Sequence, residues 1–438
     1  MTTSAWKTVA DILDQASAPG PAMVFPAAGL LVASRERVLF EHAVGVAGTP
    51  GKEKPCNETT VFDLASLTKP LVTAALTLDL IARGKLHFDT PVAEVLPWFA
   101  TGGEGDGGAG APRDASDAVI GTPSGGATFA GTPGGDATGA GAPSGGDATV
   151  AGTPGRSDEP DPRRSHITIR HLLHHDSGLP AYQRYFESFP GERPVDAAEV
   201  NTRRARMIAL ALAEPLERDP GASSVYSDIG FLVLGAVLEA IEGVRIDQLA
   251  ADRILAPLGV EDAWYAPTIA GAASGLPLER TAATGTCEWR RREIHGEVQD
   301  ENAWAMGGVA SHAGLFATAR AVNRLVVEWV EAAAGRGLVL DRRLVAHAWS
   351  RTAQGTWALG WDTPSPGASS SGTRVGASAV GHLGYTGTSI WIDRTRGVHV
   401  LLLTNRIACG RNSDAIRALR PRLHDAVFAA VDAERGGR

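Results

Sequence analysis

Lysine is rare in this chain, and one lysine stands where it could do chemistry. Only five lysines occur among the 41 lysine and arginine residues, and Lys69 follows Ser66 by three positions. Arginine stays protonated in proteins, whereas a desolvated lysine can lose its proton. A lysine one helical turn from a serine can therefore activate that serine as a nucleophile. The pair predicts covalent catalysis at Ser66 with Lys69 as its partner.

The residues around this pair predict a helix that brings the two side chains together. The apolar run 71–81 has helical character, and Pro70 is tolerated only in a first turn, so Ser66 should lie near the helix N-terminus. Positions i and i+3 share a face, and the first N–H groups of a helix stabilise negative charge. The same spacing also occurs at Ser4, so spacing alone does not decide. The alternative is that Ser66 caps the helix and Lys69 is a surface charge.

Two later segments also carry chemistry-bearing residues. Residues 226–228 read Tyr-Ser-Asp at the entry to an apolar helix, and residues 381–387 contain three glycines directly before an apolar strand. Such glycines let the backbone approach a ligand or another strand closely. Taken alone, the tyrosine is typical of half-buried packing and the glycine segment of a bulge or hairpin turn.

Composition excludes several classes of function. The 438 residues suffice for one large enzyme or two domains, and the net charge is −8 without a long run of lysine and arginine. We therefore expect no nucleic-acid partner and no anionic membrane surface. We also expect no membrane span, because the most apolar helix candidate, 229–241, is interrupted by Glu239. The N-terminus lacks a charged region followed by an apolar one. These features predict a cytoplasmic protein.

Neither the cysteines nor the histidines predict a metal or another cofactor. Cys56, Cys287 and Cys409 are scattered and odd in number, so they form neither a disulfide framework nor a metal motif. The run at 171–176 holds three histidines and an aspartate, but no further ligand completes a known spacing, and a structural role is preferred. A Gly-x-Ser-x-Gly pentapeptide is absent from the sequence, which argues against that class of Ser-His-Asp hydrolase.

The segment 101–165 differs in composition from the rest of the chain. It is rich in Gly, Ala, Thr, Pro and Ser and carries a degenerate repeat beginning at residues 127, 137 and 148. Such a composition buries too little to offset its ordering entropy, which predicts a disordered insert. A partner-binding or spacing role is one interpretation. Repeat expansion in a surface loop is preferred, because loop length costs little in closure entropy.

Strand patterns at both ends and helical patterns between them predict an α+β fold. Residues 28–33 with 38–44, and 389–393 with 398–404, read as hairpins. A helix at about 413–432 closes the chain. The pattern predicts one antiparallel sheet from both termini, flanked by helices, with a mainly helical lobe inserted. The predicted helices between the hairpins are 167–173, 203–213, 229–242 and 319–333. The predicted boundaries are 1–100 with 300–438 for the sheet domain, 101–165 for the insert and 166–299 for the lobe.

The order of three motifs gives the chain a recognisable family likeness. Ser66-x-x-Lys69, then Tyr226-Ser227-Asp228, then His382-Leu383-Gly384 follow one another with matching flanks. The chain resembles the serine β-lactamase and penicillin-binding-protein superfamily, in particular its class C-like branch of family VIII carboxylesterases, D-aminopeptidases and muropeptide amidases. This resemblance implies a β-lactamase/transpeptidase-like fold. The supporting flanks are 167–173, 177–180, 307–316 and 359–362.

The resemblance also implies a role for each motif residue. Ser66 would attack an acyl carbonyl, Lys69 and Tyr226 would share the proton transfers, and water would hydrolyse the acyl-enzyme. The backbone N–H groups of Ser66 and Tyr385 would form the oxyanion hole. The substrate would be a small ester, an amide or a muropeptide. The residues expected to contact it are Asp228, His382 and Gly384.

Two departures from the family pattern change the expected chemistry. Asp228 replaces the usual Asn, and an ionised Asp accepts hydrogen bonds but cannot donate one to a substrate carbonyl. Near Lys69 it should hold the lysine protonated, so we hypothesise that Lys69 lowers the pKa of Tyr226 and that Tyr226 is the working base. The second departure is in the third motif, which begins with lysine in lactamases. No lysine follows Lys85 in this chain, and the motif begins with His382 instead. Both departures argue against an efficient β-lactamase.

The sequence thus predicts a serine hydrolase that acts on a small ester or amide through a Ser66 acyl-enzyme. One alternative is an N-acetylmuramyl-L-alanine amidase or D-peptidase acting on peptidoglycan fragments. The other alternative is a catalytically silent sensor that keeps the penicillin-binding fold.

Overall fold

The computed structural model describes residues 4–49, 51–101, 161–266, 268–273, 275–352 and 355–436. The predicted disorder of the insert falls on residues 102–160, which lie outside the described residues. The described strands, in chain order, are β1 (Ala27–Ser34), β2 (Val38–Ala47), β3 (Lys54–Pro55), β4 (Phe62–Asp63), β5 (Ala263–Trp264), β6 (Gly285–Cys287), β7 (Arg292–Ile294), β8 (Phe316–Ala317), β9 (Val380–Leu383), β10 (Ser389–Asp393) and β11 (Val398–Thr404).

Helices account for most of the remaining described elements. Short 3₁₀ and π turns lie between them, and two of these, Ala65–Leu67 and Lys69–Ala74, directly precede the second helix. The α-helices are α1 (Ser4–Ser17), α2 (Ala75–Ala82), α3 (Val92–Val95), α4 (Ile169–Leu173), α5 (Ala197–Ala213), α6 (Asp228–Glu242), α7 (Ile246–Ala250), α8 (Glu301–Ala305), α9 (Ala319–Ala333), α10 (Arg342–Ala348) and α11 (Ala415–Gly436).

A six-stranded antiparallel sheet joins the two ends of the chain, as predicted. Its order is β3-β2-β1-β11-β10-β9, and the central pair β1 and β11 comes from opposite ends of the sequence. Leu30 lies opposite Leu402 in that pair. Both central strands are buried along almost their whole length, which explains why they read as continuous apolar runs rather than alternating ones.

Helices cover both faces of this sheet. On one face, α1 and α11 bury an apolar cluster that includes Trp6, Leu13 and Phe428 against β1 and β11. On the other face, α9 packs on the same two strands. Burying apolar side chains on both faces is the favourable term that holds the two ends of the chain together.

Among the described residues between β3 and β9, helices outnumber strands, and several of them surround the buried helix α6. This helix is apolar almost all round, as expected for an element enclosed by others. Gly235 allows a close approach, because a Cβ there would stand 2.3 Å from Ser311 Oγ. Two smaller sheets, β4-β8-β5 and β6-β7, lie in the same part of the chain.

Two expectations from the sequence need correction. The stretch Ala65–Ala82 is long and apolar enough to cross a membrane by composition, although no such segment was expected; 83% of it is buried inside the protein, as in a core helix. The insert was predicted to end at residue 165, yet 161–165 are described. Arg164 is buried there, and its guanidinium donates to the carbonyl oxygens of Phe99 and Glu214 at 2.7 and 2.6 Å.

Candidate active site

Ser66 lies in a tight turn between β4 and the helical stretch that leads into α2. The preceding residue, Ala65, has a φ of 48°, in the left-handed region that side chains rarely adopt. Asp63 holds this turn, since its carboxylate accepts the Ala65 N–H at 2.8 Å and the Gln299 N–H at 2.9 Å. Pro70 falls in the first turn of the π-helical segment, as the sequence predicted. The turn therefore fixes the direction of the Ser66 side chain.

Lys69 is fully buried and contacts Ser66 directly. Its Nζ lies 3.1 Å from Ser66 Oγ, 2.5 Å from Asp228 Oδ1 and 2.8 Å from the His312 carbonyl oxygen. As an ammonium ion it can donate to all three oxygens. As a neutral amine it can donate to Asp228 and His312 while its lone pair faces the Ser66 hydroxyl. The same geometry therefore serves both protonation states.

Burial and pairing set the charges of this pair. Burial lowers the pKa of Lys69 from its usual value, and the Asp228 carboxylate opposes that shift. Burial alone would raise the pKa of Asp228, but the adjacent Lys69 outweighs it and the pKa of Asp228 ends below its usual value. Asp228 is thus ionised at neutral pH, and Lys69 loses its proton more readily than a lysine in water.

Tyr226 completes the contacts of the serine. Its hydroxyl donates to Ser66 Oγ at 2.7 Å, and the Lys69 Nζ lies 4.8 Å from its ring centre. Burial, together with the negative charge of Asp228, raises the pKa of Tyr226 well above its usual value. The prediction that Lys69 lowers this pKa is therefore wrong, because Asp228 neutralises the lysine and the phenol is desolvated. Tyr226 stays protonated and acts as a donor.

The histidine run holds the tyrosine segment. His175 accepts the Ser227 N–H on Nδ1 at 3.0 Å, and its ring centre lies 4.8 Å from that of Tyr226. Nδ1 of His171 accepts the Thr168 N–H at 3.1 Å in the capping box of α4. Within the described residues, no group of three His, Cys, Asp or Glu side chains is placed to hold a metal ion.

The turn after β9 packs against the segment that carries Ser66. Thr386 and Thr388 donate through their hydroxyls to the carbonyl oxygens of Asp63 and Leu64, at 2.8 and 3.1 Å. Gly384 has no space for a Cβ, which would stand 2.8 Å from the Leu64 oxygen. These contacts hold the backbone of the 384–388 turn against the segment that carries Ser66. The predicted oxyanion partner, Tyr385, lies in that turn.

His382 and a tryptophan that sequence reasoning missed line the site beside Tyr226. His382 is 1% exposed, and Trp357 is half-buried, with ring centres 5.7 Å from His382 and 5.3 Å from Tyr226. Burial, with a smaller effect of Lys69, lowers the pKa of His382 to about 3. The imidazole is therefore neutral at physiological pH. Trp357 follows a short polar stretch in a loop, and no sequence pattern marked it.

Asp300 and His312 form a second buried pair that sequence reasoning also missed. Asp300 caps α8 through one carboxylate oxygen, which accepts the Ala303 N–H at 2.7 Å, and its other oxygen lies 3.5 Å from His312 Nε2. Burial raises the pKa of Asp300 well above its usual value and lowers that of His312 to about 4. The pair stands next to Lys69, which binds the backbone oxygen of His312. Only one feature of the sequence pointed to this pair: His312 lies in 307–316, one of the segments that support the family resemblance.

Comparison with known proteins identifies the family of this chain. The profile of the Beta-lactamase family matches residues 10–111 and 131–419. A putative D-alanyl-D-alanine carboxypeptidase of Escherichia coli (strain K12) is 25% identical over 403 residues, which are 87% of this chain and 79% of that protein. A protein of the same description from Salmonella heidelberg (strain SL476) is 27% identical over 268 residues, covering 58% of this chain and 61% of that protein.

Solved structures show the same fold at low identity. EstCE1, described as a hydrolase with promiscuous acyltransferase activity, superposes with a TM-score of 0.63 at 20% identity, covering 97% of this chain and 98% of that one. A penicillin-binding protein homologue from Caulobacter crescentus gives 0.61 at 18% identity, covering 98% of both chains. The profile match spans most of the chain, and the chain belongs to the Beta-lactamase family, within the serine β-lactamase and penicillin-binding-protein superfamily.

Proposed function

We propose that this protein hydrolyses a small ester or amide through an acyl-enzyme on Ser66. One observation carries the proposal: Ser66 Oγ lies within hydrogen-bond distance of both Lys69 Nζ and the Tyr226 hydroxyl, although these residues come from separate parts of the chain. A nucleophile that contacts both a titratable amine and a proton donor is the arrangement that covalent catalysis requires.

In the acylation step, Lys69 acts as the base. Its neutral form takes the Ser66 proton while Ser66 Oγ forms a bond to the carbonyl carbon, and the carbonyl electron pair moves onto oxygen. The N–H groups of Ser66 and Tyr385 stabilise that oxyanion, a contribution of about 3 kcal/mol per donor. Assignment of the base to Lys69 replaces the hypothesis of a tyrosinate, because the pKa of Tyr226 is raised rather than lowered.

In the collapse step, the leaving atom separates from the carbonyl carbon and receives a proton from Tyr226. Lys69, which holds the proton taken from Ser66, returns it to Tyr226, since both side chains contact the same serine oxygen. Water then bonds to the ester carbonyl carbon of the acyl-enzyme and gives one proton to Lys69, the bond from that carbon to Ser66 Oγ breaks, and Lys69 returns the proton to Oγ. Atoms and protons balance over the two half-reactions.

The substrate class follows from what the site lacks relative to a β-lactamase. Asp228 is ionised beside Lys69 and cannot donate to the acyl amide of a β-lactam side chain.

An amidase or D-peptidase acting on peptidoglycan fragments is the second candidate, and the names of the curated relatives favour it. A silent sensor is the third, and the bonded set of Ser66, Lys69 and Tyr226 speaks against it.

Covalent labelling tests this proposal. A fluorophosphonate probe should label the wild-type protein at Ser66 and should not label Ser66→Ala. Ser4→Ala is the matched control, because Ser4 also precedes a lysine by three residues but is exposed in α1. Absence of labelling in the folded wild type would refute the proposal. A panel of p-nitrophenyl esters, D-amino-acid amides and muropeptides then assigns the substrate. Turnover of benzylpenicillin at the rate of a β-lactamase would refute the expectation that β-lactams are poor substrates.

A further inference from the structure

A buried arginine of helix α11 binds the turn that carries the proposed oxyanion donor. Arg420 is 2% exposed, and its Nη2 donates to the carbonyl oxygens of Gly384 and Thr388 at 3.0 and 2.9 Å. The same two residues are joined by a bond from the Gly384 N–H to the Thr388 oxygen at 2.8 Å. Arg420 therefore binds both ends of the 384–388 turn.

The Gly384 carbonyl belongs to the same peptide unit as the Tyr385 N–H. A peptide unit is planar and trans, so its C=O and its N–H point in opposite directions. A bond that fixes the Gly384 oxygen therefore also fixes the direction of the Tyr385 N–H. A cation on the carbonyl oxygen forms a stronger hydrogen bond than a neutral donor does, and it draws electrons through the amide, which makes the N–H a stronger donor.

The other contacts of this turn act differently on the donor. A second cation, Arg406, donates through Nε to the Tyr385 carbonyl oxygen at 2.7 Å. That oxygen belongs to the next peptide unit, so this bond fixes the turn without acting on the unit that holds the Tyr385 N–H. The Gly384 oxygen also accepts the Gly387 N–H at 3.0 Å, which is a neutral donor. Arg420 thus brings positive charge to the oxygen of the donor's own peptide unit.

We propose that Arg420 is a positioning residue for acyl transfer: it orients and polarises the peptide unit whose N–H stabilises the oxyanion. Arg420 acts through the Gly384–Tyr385 peptide unit. Its effect is therefore greatest where negative charge develops on the substrate oxygen, in the transition states and not in the bound substrate. The inference rests on the proposed acyl-enzyme at Ser66, and it adds a residue that lies in none of the three motifs.

Steady-state kinetics separate this role from a purely structural one. We expect Arg420→Met to lower kcat for p-nitrophenyl acetate by about tenfold to a hundredfold and to leave KM within about twofold of the wild type, because Arg420 improves an oxyanion donor without being one. Acylation and deacylation form an oxyanion on the same atom, so kcat falls whichever step limits the rate. The second-order rate of fluorophosphonate labelling at Ser66 should fall by a similar factor.

Arg164→Met is the matched control. Arg164 is equally buried and also donates to backbone carbonyl oxygens, those of Phe99 and Glu214 at 2.7 and 2.6 Å. Its replacement should lower the unfolding free energy, as Arg420→Met does, and leave kcat and KM near those of the wild type. Arg420→Gln is the second variant, since it keeps a polar side chain without the charge, and it should lower kcat in the same way. Denaturant unfolding shows that each variant is folded under the assay conditions.

The outcomes distinguish this inference from the proposed function. Wild-type kcat and labelling rate in a folded Arg420→Met or Arg420→Gln would overturn the inference while the acyl-enzyme stands. An equal fall of kcat in Arg164→Met would also overturn it, because activity would then follow general stability, and so would a change confined to KM. If the folded wild type shows neither turnover nor labelling at Ser66, the proposed function itself fails. A lower kcat at unchanged KM, confined to the Arg420 variants, supports both.

Discussion

Lys69 is the residue on which the proposed chemistry most depends. We predict that Lys69→Arg lowers the rate of Ser66 labelling by about a thousandfold or more, because arginine keeps the positive charge but cannot accept the serine proton. The measurement is the second-order rate of fluorophosphonate labelling. Lys85→Arg is the control: Lys85 forms an exposed ion pair with Glu242 at 2.6 Å and should leave the rate unchanged. Retained labelling in Lys69→Arg would show that Lys69 is only a counter-ion.

Asp228 raises the pKa of Lys69, so replacing Asp228 should shift the pH dependence of the reaction in a known direction. The base must be deprotonated, so kcat/KM rises with pH through the pKa of Lys69. Asp228 raises that pKa against the effect of burial. We predict that Asp228→Asn moves the rising limb of kcat/KM to lower pH, because the amide carries no negative charge. A limb that moves to higher pH, or does not move, would rule out Lys69 as the base.

Sequence reasoning reached the residues that form a motif and missed those that do not. Ser66, Lys69, Tyr226 and Asp228 were predicted to meet, and their side chains do meet. Tyr226 was assigned the wrong direction of pKa shift, since burial cannot be read from a motif. Asp300, His312 and Trp357 went unrecognised as site residues because each reaches the site from its own loop or helix end, without periodicity or spacing.

At the scale of elements, the contact between the β9–β10 turn and the segment that carries Ser66 positions Tyr385, the proposed oxyanion donor. We predict that Gly384→Ala destabilises the protein by about 1–3 kcal/mol and slows acylation more than tenfold, since its Cβ would collide with Thr388 Oγ1 and the Leu64 oxygen. Denaturant unfolding and labelling rates measure the two effects.

Gly29→Ala provides the matched control for that substitution. Gly29 lies in β1, and its added Cβ would meet Phe62 at an ordinary distance of 3.7 Å. Unfolding free energy and labelling rate should both stay near those of the wild type. If Gly384→Ala acylates at the wild-type rate, the turn does not supply the oxyanion donor.

The long elements were predictable and the short ones were not. The bounds predicted for hairpin β10–β11 and for helix α9 are those that the structure shows. Each of these elements has a pattern of apolar residues that continues without a break along its length. Helix α5 begins six residues before its predicted start, where Asp196 caps it through a bond to Glu199 N–H rather than through apolar periodicity. Strands of two residues, such as β4, have no period to recognise, although β4 leads directly to Ser66.

At the scale of the whole molecule, buried neutral histidines set the acid limit of stability. Burial lowers the pKa of each of five described histidines to between about 3 and 4, so they stay neutral in the folded protein while the unfolded chain takes up protons below about pH 6.5. Stability from these groups is therefore present above pH 6.5 and lost as pH falls towards their folded pKa. The five are His174, His312, His382, His399 and His424.

Three buried aspartates act in the opposite direction over part of the same range. Burial raises the pKa of Asp63, Asp176 and Asp362 to about 6, so the folded state holds protons that the unfolded state has released between about pH 4 and 6. Their contribution grows as pH falls through 6. His175 shifts in the same direction as the five histidines and Asp300 in the same direction as the three aspartates, so among the described residues six buried histidines against four buried aspartates leave a net loss of stability on acidification, because the histidines are more numerous.

His399 allows the effect of one buried histidine on stability to be tested without changing a residue that contacts Ser66. It lies in β11, and its Nε2 is 2.6 Å from Asn323 Oδ1. We predict that the unfolding free energy of the wild type falls from pH 6.5 to pH 4.5, and that His399→Gln makes this fall shallower by up to about 1.4 kcal/mol per pH unit, because one histidine that the unfolded chain protonates is gone. Denaturant unfolding at pH 7.5, where His399 is neutral in both states, gives the cost of the substitution itself. An unchanged slope in His399→Gln would show that this histidine titrates alike in the folded and unfolded chain, and that acid sensitivity arises elsewhere.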